Sequence, residues 1–196
     1  MRAVLISTRP KWCEEMVSGK KTIEVRKSRP KLEAPFKVYI YETYDKEYAD
    51  MGVCWEAGHT FEHGCKKVIG EFICDEVTPL FNVATTSWNL LAGNIHEYAK
   101  GLVRMARLTE EEMHSYANGK NCYAWHITDL KIYDNPKELS EFFHYCGDNP
   151  KCDGCEAHYY SNTECGKEDY CCSIIDGCKA LKRPPQSWCY VEELQE

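Results

Sequence analysis

Five residues near the start of the chain have types and spacing suited to binding a polar, planar ligand. Four of them, Gly19, Lys21, Glu24 and Arg26, follow the order Gly-x-Lys-x-x-Glu-x-Arg, and Thr22 lies between them. The lysine and the arginine donate to phosphate or to a base acceptor, and the glutamate accepts from an exocyclic amine such as that of cytosine or adenine. We therefore expect Lys21, Thr22, Glu24 and Arg26 to be ligand-binding residues for a nucleobase with its phosphate.

Two elements must position these side chains. A helix from Pro10 should end at Gly19 in the left-handed conformation that glycine favours. The alternation over residues 22–26 then predicts a half-buried strand, with Ile23 and Val25 toward the core and the polar side chains on the other face. An alternative interpretation is a salt bridge that only closes one end of the fold.

Patterns along the rest of the chain predict a mixed set of elements. Strands are expected over 2–7, 36–41, 68–74, 122–130 and 187–191, and helices over 88–105 and 109–117. Gly70 indicates a bulge or a close backbone approach, and Thr109 with Glu112 has the spacing of a capping box. Five or six strands with two or three helices fit an α+β fold, in the form of a small mixed β-barrel with flanking helices.

The Gly-x-Lys-x-x-Glu-x-Arg spacing resembles the hallmark of the ASCH domain family, which is related to PUA RNA-binding domains. Residues 5–12, 67–72, 123–127 and 184–190 are also similar to family members, and they occur in the expected order. The resemblance implies a PUA-like barrel that binds RNA or a modified nucleotide in a cleft around the motif.

The same resemblance offers an enzymatic alternative. Some relatives look like small amidohydrolases that remove the acetyl group from N4-acetylcytidine, with a threonine nucleophile three residues after the lysine. This chain has Glu24 at that place, and a carboxylate cannot replace the hydroxyl in an acyl-enzyme route. If the chain is an enzyme, Lys21 and Glu24 are the expected catalytic residues, with Glu24 as a general base on water.

Aromatic residues on the predicted strands are candidates to stack on a base, although each also fits a hydrophobic core. They are Tyr39, Tyr41, Trp125 and Tyr190. His126 is expected to have a structural role.

A cysteine-rich segment interrupts the predicted barrel before its last strand. Seven of the 13 cysteines lie between Cys146 and Cys178. Together with the C-x-x-C pair, this clustering favours one structural Zn²⁺ that orders a segment with little core of its own. The candidate ligands are Cys146, Cys152, Cys155, Cys171, Cys172 and Cys178. Disulfides or surplus thiols are the alternatives, and the module could also be a docking surface for a protein partner.

These segments give a domain division into residues 1–145 and 183–196 for the barrel and 146–182 for the zinc-binding insertion. A second group of possible ligands, Cys54, His59, His63 and Cys65, has no common metal-site spacing. Ordinary loop polarity explains this second group better.

Charge and targeting signals limit the possible partners. The net charge of −7 argues against a general nucleic-acid coat, but residues 9–37 carry nine Lys or Arg and four Asp or Glu, a local charge of +5. Such a patch suits a focused anionic ligand. No apolar run is long enough to span a membrane, and residues 1–6 are too short for a signal peptide, so we expect a cytoplasmic protein without a membrane partner.

Overall fold

A computed structural model describes residues 1–47, 53–56, 59–62, 66–80, 94–145 and 180–194. Its strands are β1 (Arg2–Thr8), β2 (Ile23–Arg26), β3 (Phe36–Glu42), β4 (Val53–Glu56), β5 (His59–Glu62), β6 (Val68–Cys74), β7 (Val77–Leu80), β8 (Cys122–His126), β9 (Thr128–Lys137) and β10 (Trp188–Glu192). Its helices are α1 (Pro10–Val17), α2 (Asn94–Met105) and α3 (Glu110–Ala117), with a 3₁₀ turn at Leu139–Glu141. The predicted α+β class is confirmed.

The strands form two main sheets. One has the order β10-β1-β3-β6-β9, in which only β1 and β3 are parallel neighbours, and the other has the order β2-β8-β7. Strands β4 and β5 make a separate pair. Within the described ranges the sheets do not close into one barrel, so the architecture is better described as two sheets that share a core.

Three clusters of buried apolar side chains surround the sheets. One lies between the two sheets and includes Val38, Phe72 and Trp125. A second joins β2 and β8 to α2 and α3, and the third covers the outer face of the five-stranded sheet around Tyr39 and Phe142. Strand β2 contributes Ile23 and Val25 to the second cluster, and all four of its residues are buried.

Several local predictions are confirmed. Gly19 has a φ of 71° and follows Ser18, the C-cap of α1, and Thr109 and Glu112 form a complete capping box at the start of α3. Gly70 lies where β6 contacts the backbone of β9 near Lys131, at a shift in the strand register. A side chain at this position would collide with the neighbouring strand.

Two strand predictions are wrong in detail. The expected strand over 122–130 is divided at Ile127 into β8 and β9, which belong to different sheets, and Asp129 there has a left-handed φ of 48°. The pattern also missed β7, which contains Pro79 and pairs only with β8 at the edge of its sheet. The described part of the chain has no helix that is both long enough and apolar enough to cross a membrane.

Candidate functional site

The turn after α1 places Lys21 beside the end of α2. The backbone N–H of Lys21 donates to the carbonyl of Glu15 at 2.8 Å, and that of Thr22 donates to Met105 at 3.0 Å. The carbonyl of Thr22 accepts from Ile127 at 2.9 Å. These contacts fix the start of β2, and thereby the direction of the next side chains.

Lys21, Glu24 and Arg26 form a buried ion cluster, which we call the triad. Lys21 Nζ lies 3.2 Å from Glu24 Oε2, and Arg26 NH2 lies 2.8 Å from Glu24 Oε1. The three side chains are 3%, 8% and 7% exposed, respectively. One carboxylate thus serves two cations in a place with little access to solvent.

Arg26 also ties β2 to the five-stranded sheet. Its NH1 donates to the carbonyl of Ser187 and its NH2 to the carbonyl of Ser7, both at 3.0 Å, with Thr8 Oγ1 at 3.3 Å. Ser7 lies in β1, and Ser187 directly precedes β10. The guanidinium therefore joins three strands that are far apart in sequence.

Burial changes the acid–base behaviour of Lys21. Its Nζ donates to the carbonyl of Ala106 at 2.9 Å and lies 5.3 Å from the centre of the Trp12 ring. Loss of hydration is the largest influence on its pKa, which is lowered from the usual 10.5 although the Glu24 carboxylate acts in the opposite direction. A lysine with a lowered pKa releases its proton more readily, which suits either regulated anion binding or proton transfer.

Two buried donors near the triad lack an acceptor within the described part of the chain. They are Arg26 Nε and Trp125 Nε1. Glu24 and Trp125 are register partners on β2 and β8, so their side chains leave the same face of that sheet. Buried donors without a partner are rare in proteins, and they indicate a bound water or a ligand acceptor.

The structure brings together Lys21, Glu24 and Arg26 and places Thr22 beside them. Thr22 contributes backbone contacts at the start of β2. Our expectation that the polar face of β2 is open is wrong, because all four residues of the strand are buried. The face is covered since β1 and the start of β10 pack over it through the Arg26 contacts.

The four aromatic residues predicted to stack on a base differ in how deeply they are buried. Tyr39, Tyr41 and Trp125 are core residues with at most 4% exposure, whereas Tyr190 is half-buried and accepts from the Lys31 N–H at 2.6 Å. His126 pairs with Asp75 at 2.8 Å near the surface. Tyr116 on α3, which was not among the predicted aromatic candidates, lies 5.0 Å from Lys27 Nζ just beyond the end of β2.

The predicted zinc ligands Cys146, Cys152, Cys155, Cys171, Cys172 and Cys178 lie outside the described residues, as do the side chains of the second group at 54–65. The described residues contain no group of three or more potential metal ligands. The described residues that flank positions 146–179 lie next to each other, since Phe143 bridges to Ala180 and the Leu181 N–H donates to the Phe142 carbonyl at 2.8 Å.

Comparisons with known proteins give structural neighbours only. No protein-family model and no curated protein matches the sequence. A crystal structure of ASCH from Zymomonas mobilis is similar at a TM-score of 0.46 and 21% identity, covering 70% of this chain and 73% of that chain. A tyrosine-to-phenylalanine mutant of the same protein gives 0.45 and 22%, over 70% and 76% of the two chains. These structural neighbours are ASCH proteins, the family that the motif spacing resembles.

Proposed function

We propose that this chain binds RNA or a modified nucleotide next to Lys21, Glu24 and Arg26. The observation that carries this proposal is the sharing of one buried carboxylate by two buried cations. When all three groups are ionised, the triad has one positive charge in excess. A buried charge is costly unless it is paired, and a phosphate or an acceptor-rich base edge would balance this one.

The remaining hydrogen-bond capacity of the triad also suits a base. Each oxygen of Glu24 contacts one cation, so lone pairs remain that can accept from an exocyclic amine. Arg26 Nε, which has no acceptor among the described residues, is a donor on the same strand face. A donor beside an acceptor is the pattern that reads the edge of a nucleobase.

A lysine variant that keeps the fold tests this proposal. Lys21→Met leaves Glu24 paired with Arg26, whereas Lys11→Met removes an exposed lysine paired with Glu112 at 3.3 Å and is the matched control. We expect Lys21→Met to weaken binding of CMP, AMP or a short RNA by about tenfold or more, since a hydrogen bond to a charged group contributes about 1.5–3 kcal/mol. Calorimetric titration measures this, with urea unfolding as the check on folding.

Wild-type affinity in Lys21→Met would contradict a site at the triad. If the wild-type protein binds neither nucleotides nor RNA, two hypotheses remain, namely action on an acylated nucleoside and a protein-docking role of the cysteine-rich segment.

A second candidate function is hydrolysis of an acylated nucleoside of the N4-acetylcytidine type. The lowered pKa of Lys21 beside Glu24 favours it, because a deprotonated lysine can accept a proton from an attacking water. Incubation with N4-acetylcytidine should then release acetate and cytidine, faster as pH rises through the lysine pKa and not at all in Lys21→Met. Failure of the wild-type protein to release acetate over this pH range would eliminate the candidate.

A further inference from the structure

A basic and aromatic surface continues from the triad along the chain. It consists of the exposed cations Lys27, Arg29 and Lys31 and the rings of Tyr116 and Tyr123, and we call it the exit surface. The three cations occupy every second position directly after Arg26. They lie outside the triad.

Each of the three cationic residues contacts an aromatic residue, Lys27 and Arg29 through their charged groups and Lys31 through its backbone. Lys27 Nζ lies 5.0 Å from the centre of the Tyr116 ring, and Arg29 Cζ lies 6.0 Å from that of Tyr123. The backbone N–H of Lys31 donates to the Tyr190 hydroxyl. The segment is therefore held against a row of rings.

The charge of the exit surface is not balanced locally. Lys27, Arg29 and Lys31 form no ion pair with a carboxylate in the described part of the chain, and residues 27–35 contain a single acidic residue, Glu33. Other lysines of the basic patch do have carboxylate partners, such as Lys11 with Glu112 and Lys37 with Glu71. Five of the nine cations in residues 9–37 have no carboxylate partner among the described residues, and three of these five directly follow β2.

Tyr116 connects the exit surface to the triad. Its ring lies 5.0 Å from Nζ of Lys27, the residue that directly follows Arg26. Burial raises the pKa of Tyr116, and the charges of Arg26 and Glu24 act on it in opposite directions. The residue is nevertheless 37% exposed. Part of its ring therefore remains accessible for stacking beside a base that reaches the triad.

We infer that the ligand is a single-stranded nucleic acid whose backbone continues from the triad over the exit surface. This inference rests on the proposed binding function and extends it from one nucleotide to a chain. Cations that follow the backbone, interleaved with rings that stack on bases, characterise sites for single strands. A long duplex is disfavoured because the protein as a whole has a charge of −7.

A length and salt series tests the inference. The probes are CMP and AMP, fluorescent RNA hexamers of cytidylate and adenylate, the matching DNA hexamers, and a glutamate hexapeptide as a competitor. Lys27→Ala/Arg29→Ala is compared with Lys131→Ala/Lys137→Ala, which removes two lysines from β9, at the other edge of the five-stranded sheet from β10. Binding is measured by anisotropy for the hexamers and by calorimetry for the mononucleotides.

The wild-type protein should bind a hexamer at least about tenfold more tightly than a mononucleotide, as expected for one added stacking contact. Lys27→Ala/Arg29→Ala should remove this advantage and lower the slope of log K against log salt by about 1.4, since each phosphate contact to a single strand contributes about 0.7. Lys27→Ala/Arg29→Ala should keep the wild-type affinity for mononucleotides, and the control variant should keep the wild-type affinity for the hexamer. The RNA and DNA arms identify which sugar is preferred.

Other results would overturn the inference. Equal salt slopes in the two double variants, or equal competition by the glutamate peptide, would mean that the exit surface does not follow a nucleic acid. Such results leave mononucleotide binding at the triad intact. Hexamer binding that depends on Lys27 and Arg29 but not on Lys21 would support the surface and contradict the proposed triad site, and no binding of any probe would overturn both.

Discussion

Replacement of Glu24 by glutamine is the most informative perturbation of the triad. The amide keeps the shape of the side chain but leaves Lys21 and Arg26 as buried cations without a counter-charge. Both lie within 3.2 Å of the carboxylate and are less than 8% exposed. Breaking a buried ion pair from one side costs about 3–5 kcal/mol, and because one carboxylate serves two cations we expect about 4 kcal/mol or more.

Urea unfolding followed by tryptophan fluorescence measures this loss, and Trp125 and Trp188 report on the core between the sheets. For a chain of 196 residues, a loss of about 4 kcal/mol lowers the melting temperature by about 8–16 °C. Adding Lys21→Met to Glu24→Gln should recover part of the stability, since it removes one of the unpaired cations.

Glu15→Gln is the matched control. Glu15 pairs with Arg107 at 2.9 Å, a separation close to that of Glu24 and Arg26, but these side chains are 25% and 48% exposed. We expect a cost below about 1 kcal/mol for such a pair. If Glu24→Gln is no more destabilising than Glu15→Gln, the triad is not a desolvated ion cluster and the electrostatic reasoning is wrong.

Three further predictions concern other features of the chain. The pKa of Lys21 is lowered in the folded state, so between that pKa and 10.5 the unfolded state binds more protons and the free energy of unfolding should rise with pH. This rise should disappear in Lys21→Met. If it persists in the variant, a different group causes it. Gly70→Ala should cost about 1–3 kcal/mol through its collision with β9, while Gly101→Ala in α2, which has open space around it, should be neutral or stabilising; similar unfolding midpoints would contradict this. Protein purified under reducing conditions without added zinc should contain about one zinc equivalent, lost in Cys152→Ser/Cys155→Ser, and a content far below one would exclude the structural zinc.

Local rules predicted those parts of the fold that depend on a few neighbouring residues. The left-handed Gly19, the capping box at Thr109 and the close approach at Gly70 each follow from backbone geometry within a short segment or from the small size of glycine. The meeting of Glu24 and Arg26 belongs to the same class, because period-two alternation places both on one face of β2. Lys21 reaches them from the turn before the strand, which alternation does not predict.

The burial of that face could not be predicted in this way. Arg26 contacts Ser7 and Ser187, which are 19 and 161 positions away, and no local pattern carries this information. The same reasoning applies to Tyr39 and Tyr41, which alternation alone left as stacking candidates. β3 is a central strand with a hydrophobic cluster on each side, so both of its faces are buried.

A structural salt bridge and a binding site make opposite predictions for Lys21. If the triad only fastens β2 to the five-stranded sheet, the lysine contributes to that attachment, and Lys21→Met should destabilise the protein. Desolvation lowers the pKa of Lys21 despite the nearby carboxylate, which means that the charged form is held at a net cost. We therefore expect Lys21→Met to stabilise the free protein near neutral pH and to weaken ligand binding at the same time. A residue that lowers stability while it supports binding is maintained for function, and loss of stability together with unchanged binding would identify the triad as a structural device.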